Sequence, residues 1–322
     1  MRSELSSIVN TCMVIGRDKS LVQGPGGNVS IKVNDGRMLV KASGYRLDGV
    51  SEKSGLVLVD YNLIRSFFTS SSNNLSLCQQ DDSIFEVFKS AVINSSSRPS
   101  METGFHAVLG KAVVHTHPIF VNLLGSMVGG RKIAEEIGLE CRFVPYISPG
   151  YALASCISSF FNMTFLLQNH GLIVSGTNLE TCVDKTVEIN EAIKKHFGLS
   201  GFDVQECLIR TKDGFLNNGE RALRFVEYTK KNPEIFSTYL FPDAVIYVGD
   251  IGSERSKISI TDGGILYRLS IDKAKSINET VEAHIYLLET IPRFGTIRSL
   301  TSEDVSYLLS MKAERYRREI RK

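Results

Sequence analysis

Val29, Ile31 and Val33 alternate with polar residues across NVSIKV (28–33), a period of two that predicts a half-buried strand. The turn residues NDG (34–36) follow, and RMLVK (37–41) reads as the return strand of a hairpin. GLVLVDY (55–61) predicts another short strand. The polar patches TSSSNNLS (69–76) and NSSSRPS (94–100) read as loops. Between them SIFEVFKSAV is helical, with Ile84, Phe88 and Ala91 on one side. KAVVHTH (111–117) and FLLQNHGLIVSG (165–176) read as strands by length and β-branched content, with turn chemistry in YISPGYA between them. TNLE (177–180) has the T-x-x-E form of a capping box and opens a helix. Val183, Val187, Asn190, Ile193 and Phe197 line one face of that helix.

Strands followed by helices, with antiparallel signals early, predict an α/β fold, a layered α+β domain, over residues 1–200. Residues 201–322 read as a smaller α+β unit. In it AVIYVG (244–249), KISITDGGILYRLS (257–270) and a helix over KAKSINETVEAHIYLLET (273–290) follow in order, and TDGG is a strong hairpin turn. A last helix begins at Thr301, with Asp304 three residues on as in a capping box. It runs into ERYRREIRK, whose alternating charges read as a solvated helix face. No internal repeat interrupts this order.

Composition narrows the function classes. The chain has 322 residues, enough for about two domains with a sizeable core. Its formal net charge of +2 gives no footprint for nucleic acid or another polyanion. Six cysteines form no C-x-x-C pair and no dense framework, which reads as reduced thiols in a cytoplasmic protein. Glu4 and the lack of a continuous apolar core in MRSELSSIVNTCMVIG argue against a signal peptide. No stretch reaches the roughly 20 apolar residues needed to cross a bilayer, so no membrane partner is expected.

The candidate chemistry begins at VVHTHP. Residues i and i+2 of a strand share a face, so His115 and His117 project side by side, about 7 Å apart at Cα from a rise of ~3.3 Å per residue. They are either two ligands of one ion or two polar residues that close a strand. His170, at a strand tip before Gly171, is a third candidate, and catalytic zinc commonly takes three protein ligands. Glu102, at a helix start thirteen residues before His115, is a fourth ligand, a general base, or an acid that complements the helix dipole. His106 reads as a packing residue of that helix, His284 as core and His196 as surface. QGPGGNVS (23–30) is a tight turn or an anion nest, and it is neither a P-loop nor a dinucleotide fingerprint. KASG (41–44) and Ser100 add hydroxyls, a lysine and glycine, and with the loop they make a polar cradle for a phosphate.

Taken together and in this order, G-x-G-G-N-x-S, A-S-G, P-S-x-E, H-x-H and N-H-G-L resemble the class II aldolase/adducin family over about residues 5–197. FPDAVIYVG and LTSEDVSYLLSMKAERYR resemble the extension of its longer, rhamnulose-aldolase-like members. The resemblance implies a central, mainly antiparallel sheet flanked by helices. It implies zinc, or another divalent transition metal, on His115, His117 and His170, with Glu102 as acid/base. It further implies that Gly27, Asn28, Ser43, Gly44 and Ser100 hold a sugar or sugar phosphate. The activity expected is C–C cleavage of a ketose or ketose phosphate through an enediolate, in a homotetramer. Epimerase, dehydratase and decarboxylase chemistry share the scaffold, and the adducin branch uses it as an interaction module. Two positions depart from the pattern: Pro25 stands where these aldolases usually carry threonine, and Met101 where a second serine often precedes the glutamate. Both remove hydroxyl donors from the expected cradle, and no tyrosine aligns with the one that aldolases supply from a neighbouring subunit.

Overall fold

The computed structural model describes residues 2–34, 36–70, 75–93, 95–205, 207–249, 251 and 256–314. The loop expected at 69–76 falls partly, and the basic tail almost wholly, outside the described residues. The first part opens with α1 (Arg2–Arg17), the hairpin β1 (Asn28–Lys32) and β2 (Arg37–Lys41), and β3 (Leu56–Asp60). Helices α2 (Tyr61–Ser70), α3 (Leu77–Ser90) and α4 (Thr103–Val108) lead to β4 (Ala112–Thr116). Then come α5 (Ile119–Gly125), α6 (Gly130–Glu136), β5 (Arg142–Val144), α7 (Tyr151–Ile157), β6 (Thr164–Leu167), β7 (Gly171–Gly176) and α8 (Leu179–His196).

The seven strands form one sheet in the order β3-β2-β1-β4-β7-β6-β5. Every pairing is antiparallel except β5 with β6. This is the expected mainly antiparallel sheet, with helices on its two faces. β4 runs through its middle, buried along its whole length between β1 and β7. One face of β4 packs in the large core through Ala112 and Val114, while Val113 joins a second cluster with Phe105 and Leu109. A strand covered on both sides is a rigid base for the residues that leave its end.

Three local expectations are corrected. Residues 165–176 are not one strand but a hairpin, β6 and β7, turning at Gln168–His170 with Asn169 at φ 53°. Asparagine is among the few non-glycine residues that tolerate that left-handed backbone. The cap of α8 is Asn178, whose side chain accepts from the Thr181 N–H at 2.9 Å, rather than Thr177. The buried stripe of α8 is Leu179, Cys182, Thr186, Ile189, Asn190 and Ile193, while Val187 is exposed. Thr186 can face the core because its hydroxyl donates to the Cys182 carbonyl at 2.8 Å, and the Asn190 Oδ1 accepts from the Phe120 N–H at 3.2 Å.

The second part contains β8 (Leu208–Thr211), β9 (Gly214–Asn217), α9 (Glu220–Lys231), α10 (Pro242–Tyr247), β10 (Ile258–Thr261), β11 (Gly264–Tyr267), α11 (Ile271–Thr290) and α12 (Ser302–Ser310). Its strands make a four-stranded antiparallel sheet, β10-β11-β9-β8, and TDGG is the expected turn, with Thr261 paired to Gly264. AVIYVG lies in and just after α10. Thr301 and Asp304 form the expected capping box of α12. The large apolar core is continuous between the two parts, from Ile8 and Val29 to Ile277 and Leu288. Polar ties reinforce it: Glu279 of α11 accepts from the Gly24 N–H at 2.8 Å and from Arg46 at 2.8 and 3.1 Å. All six cysteines are free, and among the described residues no helix is long and apolar enough to cross a membrane.

His106 and His284 are buried in this core, and burial pushes them from 6.5 down to about 3 and about 4. Both folded values lie below the unfolded one, so the unfolded chain takes up protons first and stability falls as pH drops below 6.5. Between pH 6.5 and 5 each histidine costs stability on the order of 1–2 kcal/mol. Metal-free protein is therefore expected to melt about 5 °C lower at pH 5 than at pH 6.5, and an unchanged Tm would contradict the buried neutral state.

Candidate metal centre

The sheet register brings the first ligand candidate into place. His115 sits opposite Asn28 on β1 and Ile173 on β7, fully buried. Its Nδ1 is 2.9 Å from the Leu172 carbonyl, an acceptor, so Nδ1 donates there and Nε2 faces inward. His117 leaves the end of β4 on the same side. Its Nδ1 lies 3.2 Å from Asp243 Oδ2, and its Nε2 lies 3.2 Å from the His115 Nε2. His170 enters from the β6–β7 turn with its Nε2 3.3 Å from Glu102 Oε1. Gly171 is required behind it, since at φ 150° a Cβ would meet the Thr116 carbonyl at 2.3 Å.

Glu102 is the residue before α4 and makes no side-chain cap. Its carboxylate turns to the imidazoles instead, with Oε1 3.2 Å from His115 Nε2. The reading of Glu102 as an acid that only complements the helix dipole is therefore displaced. One ligand atom from each of Glu102, His115, His117 and His170 lies within 4.8 Å of the others. A tetrahedral ion with bonds of about 2.0–2.1 Å has ligand-to-ligand edges of about 3.3 Å, and the three contacts of 3.2, 3.2 and 3.3 Å match that edge.

Electrostatics points the same way. Burial pushes Glu102 up, but the charge and hydrogen bonds of His115 and His170 outweigh it and hold the carboxyl well below its usual range. Burial pushes His115 down, yet Glu102 overrides this and raises it, whereas burial brings His170 down to about 4. The carboxylate thus stays ionised and draws one positive charge onto the cluster. Without an ion that charge sits on His115, whose Nε2 is 3.2 Å from both the His117 Nε2 and Glu102 Oε1. A metal cation would take the place of that proton. The donor set fits a divalent transition ion with imidazole preference.

Beside the cluster lies a narrow, polar-lined cavity that opens to solvent. Gly27, Ser43, Gly44 and Ser100 line it with Glu102, His117 and His170. The bridge between Ala42 and Pro99 and the Ser43 N–H to Arg98 carbonyl bond of 2.9 Å join the two serine segments. Asn28 does not line the cavity; it pairs with His115, and its buried Oδ1 has no hydrogen-bond partner among the described residues. Pro25 and Met101 both face the space, as their departures from the pattern imply. Within the glycine loop the Gly24 N–H meets an anion of the chain itself, Glu279, and the Gly26 N–H closes a turn on the Gln23 carbonyl at 3.1 Å.

Sequence reading counted the lysine of KASG in the cradle but missed two lining groups, Asp243 and Glu314. Lys41, buried, points its Nζ at the Tyr45 carbonyl at 2.7 Å and the Pro25 carbonyl at 3.2 Å. Asp243 and Glu314 arrive from the second part of the chain and are also buried. A proline followed by an acid at a helix start marks the beginning of α10, but nothing local tells which side chain Asp243 meets.

The model of the class II aldolase and adducin N-terminal domain matches residues 6–197. Over 210 residues the chain is 31% identical to the uncharacterized oxidoreductase YuxG of Bacillus subtilis, a match that takes in 60% of this chain and 29% of that protein. The chain thus spans under a third of that relative's length. It is 25% identical over 203 residues to the L-fuculose phosphate aldolase of Methanococcus maripaludis, covering 60% of this chain and 96% of that one. It is 24% identical over 204 residues to the 3-oxo-tetronate 4-phosphate decarboxylase of Haemophilus influenzae, covering 57% and 82%. In fold it is similar to the N-terminal class II aldolase domain of a conserved protein from Thermoplasma acidophilum, with TM-score 0.54 and 24% identity over 61% of this chain and 94% of that chain.

The donor set predicts about one bound zinc per chain after loading with zinc and desalting, read by elemental analysis. His115→Ala and His170→Ala should each cut retention at least about tenfold. Equal zinc content in both variants and the parent would place the ion elsewhere.

Proposed function

We propose, from the premise that the chain belongs to the class II aldolase and adducin family, that it is a metal-dependent lyase acting on a ketose or ketose phosphate. The observation that carries this reading is the convergence of three imidazoles and the Glu102 carboxylate beside a narrow polar cavity. A divalent ion held there supplies Lewis-acid polarisation of the substrate carbonyl and a counter-charge for the oxygen that becomes negative as the C–C bond breaks.

The protein's own groups do the rest. Cleavage leaves a carbon that must take a proton, and synthesis requires the same proton to be removed. Glu102 is placed for both: half-buried, held ionised, and on the cavity wall. An ionised carboxylate that changes hydrogen-bond partners as substrate enters suits the role of general base. Ser43, Ser100 and the backbone at Gly27 and Gly44 orient the far end of the substrate through hydroxyl and N–H donors. Pro25 and Met101 replace donors with apolar surface, so this end of the cavity holds a phosphate through fewer hydrogen bonds than the family pattern offers. The same proton transfer serves decarboxylation of a 3-oxo acid, where the bond to a carboxylate breaks in place of the aldol bond. The decarboxylase relative supports keeping that reaction as the second reading.

Zinc-loaded protein offered ketose 1-phosphates, the free ketoses and 3-oxo-tetronate 4-phosphate distinguishes the two. Aldehyde release supports the aldolase reading, and CO2 release supports the decarboxylase reading. Glu102→Gln should lower kcat by about 10²–10⁴ on whichever substrate turns over. An unchanged kcat in that variant would remove Glu102 from the mechanism, and no turnover of any of them by zinc-loaded protein would count against the lyase.

A further inference from the structure

We propose that Asp243 is a positioning residue that fixes His117, so that the second part of the chain completes the metal centre. This rests on the metal-dependent reading above. Asp243 lies outside residues 6–197, the span matched by the family model, and is supplied by the first turn of α10.

Four observations converge on it. First, Asp243 Oδ2 is 3.2 Å from His117 Nδ1, within ion-pair distance though not aligned as a hydrogen bond in the metal-free chain, with the side chains 3% and 6% exposed. A carboxylate on the nitrogen that faces away from an ion fixes the tautomer, holds the ring plane and raises the basicity of the other nitrogen. Second, Gly26 closes over the pair: a Cβ there would stand 2.8 Å from both Asp243 Oδ2 and His117 Nδ1. The absence of a side chain at this place is therefore needed to seat the contact.

Third, Asp243 is itself rigidly delivered. Pro242 occupies the start of α10, where its fixed φ suits the helix, and Phe241 before it is extended and buried. The Leu240 carbonyl accepts from Asn169 Nδ2 at 2.9 Å and from Ser126 Oγ at 3.1 Å. Fourth, the same Asn169 donates to the Arg298 carbonyl at 2.7 Å, so the turn that presents His170 also leans on the second part. His115 takes its outer partner, the Leu172 carbonyl, from the first sheet, and the outer nitrogen of His170 has no hydrogen-bond partner among the described residues. His117 and the turn that carries His170 thus lean on residues beyond 200.

The test is zinc affinity, measured by competition with a chromophoric chelator on the full chain, for the parent, Asp243→Asn and Asp243→Ala. Asp243→Ala is expected to weaken zinc binding about 10–100-fold. Asp243→Asn keeps the size and an acceptor oxygen but not the charge, so it should fall between the two. Melting curves with zinc and with chelator are recorded in parallel. A positioning role reduces the Tm increment that zinc confers. A merely structural role lowers both curves equally and leaves the affinity unchanged, and that result overturns the inference. Parent protein that binds no zinc overturns the metal-dependent reading itself, and this inference with it.

Discussion

Three buried imidazoles and an ionised carboxylate turn their ligand atoms toward one point, within 4.8 Å of one another. In a dry interior that arrangement is unfavourable without a positive charge between the groups. Much of the local structure serves to impose it. β4 is central so that His115 cannot move, Gly171 has no side chain so that the His170 turn can approach Thr116, and Glu102 forgoes capping α4 in order to reach in. A site whose carboxylate is balanced by a proton in the metal-free state exchanges that proton for a cation. Preorganisation of this kind is how a protein makes a metal site selective in geometry before any ion is bound.

The same constraint explains how the two parts of the chain are joined. The first part of the chain supplies all four donor residues, and the second part supplies some of the wall and the outer carboxylate. The large core runs unbroken between them, and the ties at Glu279, Leu240 and Arg298 all end on loops that border the site. Charged ties such as Arg46 to Glu279 are partly exposed and contribute about 1 kcal/mol at most. Apolar burial therefore holds the parts together, and the polar ties set their register.

Sequence order was a good guide wherever one face of an element decides its fate. The β1–β2 hairpin, the TDGG turn and the Thr301 capping box are local structures whose residues act on near neighbours. The hairpin inside 165–176 was hidden because Gln168, Asn169 and His170 interrupt an apolar run by only three residues. The face of α8 was misplaced because periodicity counts Thr186 as polar, whereas its hydroxyl is satisfied on its own helix. The clustered histidines and Glu102 were legible from spacing and motif, but Asp243 was not. Its partner lies 126 positions away, counting from His117 to Asp243, and only tertiary packing unites them.

X-ray absorption at the zinc K-edge, on protein loaded with one equivalent, probes the central claim most directly. The account predicts a first shell of three imidazole nitrogens plus oxygen, with bonds of about 2.0–2.1 Å and the multiple scattering typical of histidine rings. A shell containing sulfur, or one of oxygen atoms with no imidazole signature, would contradict it.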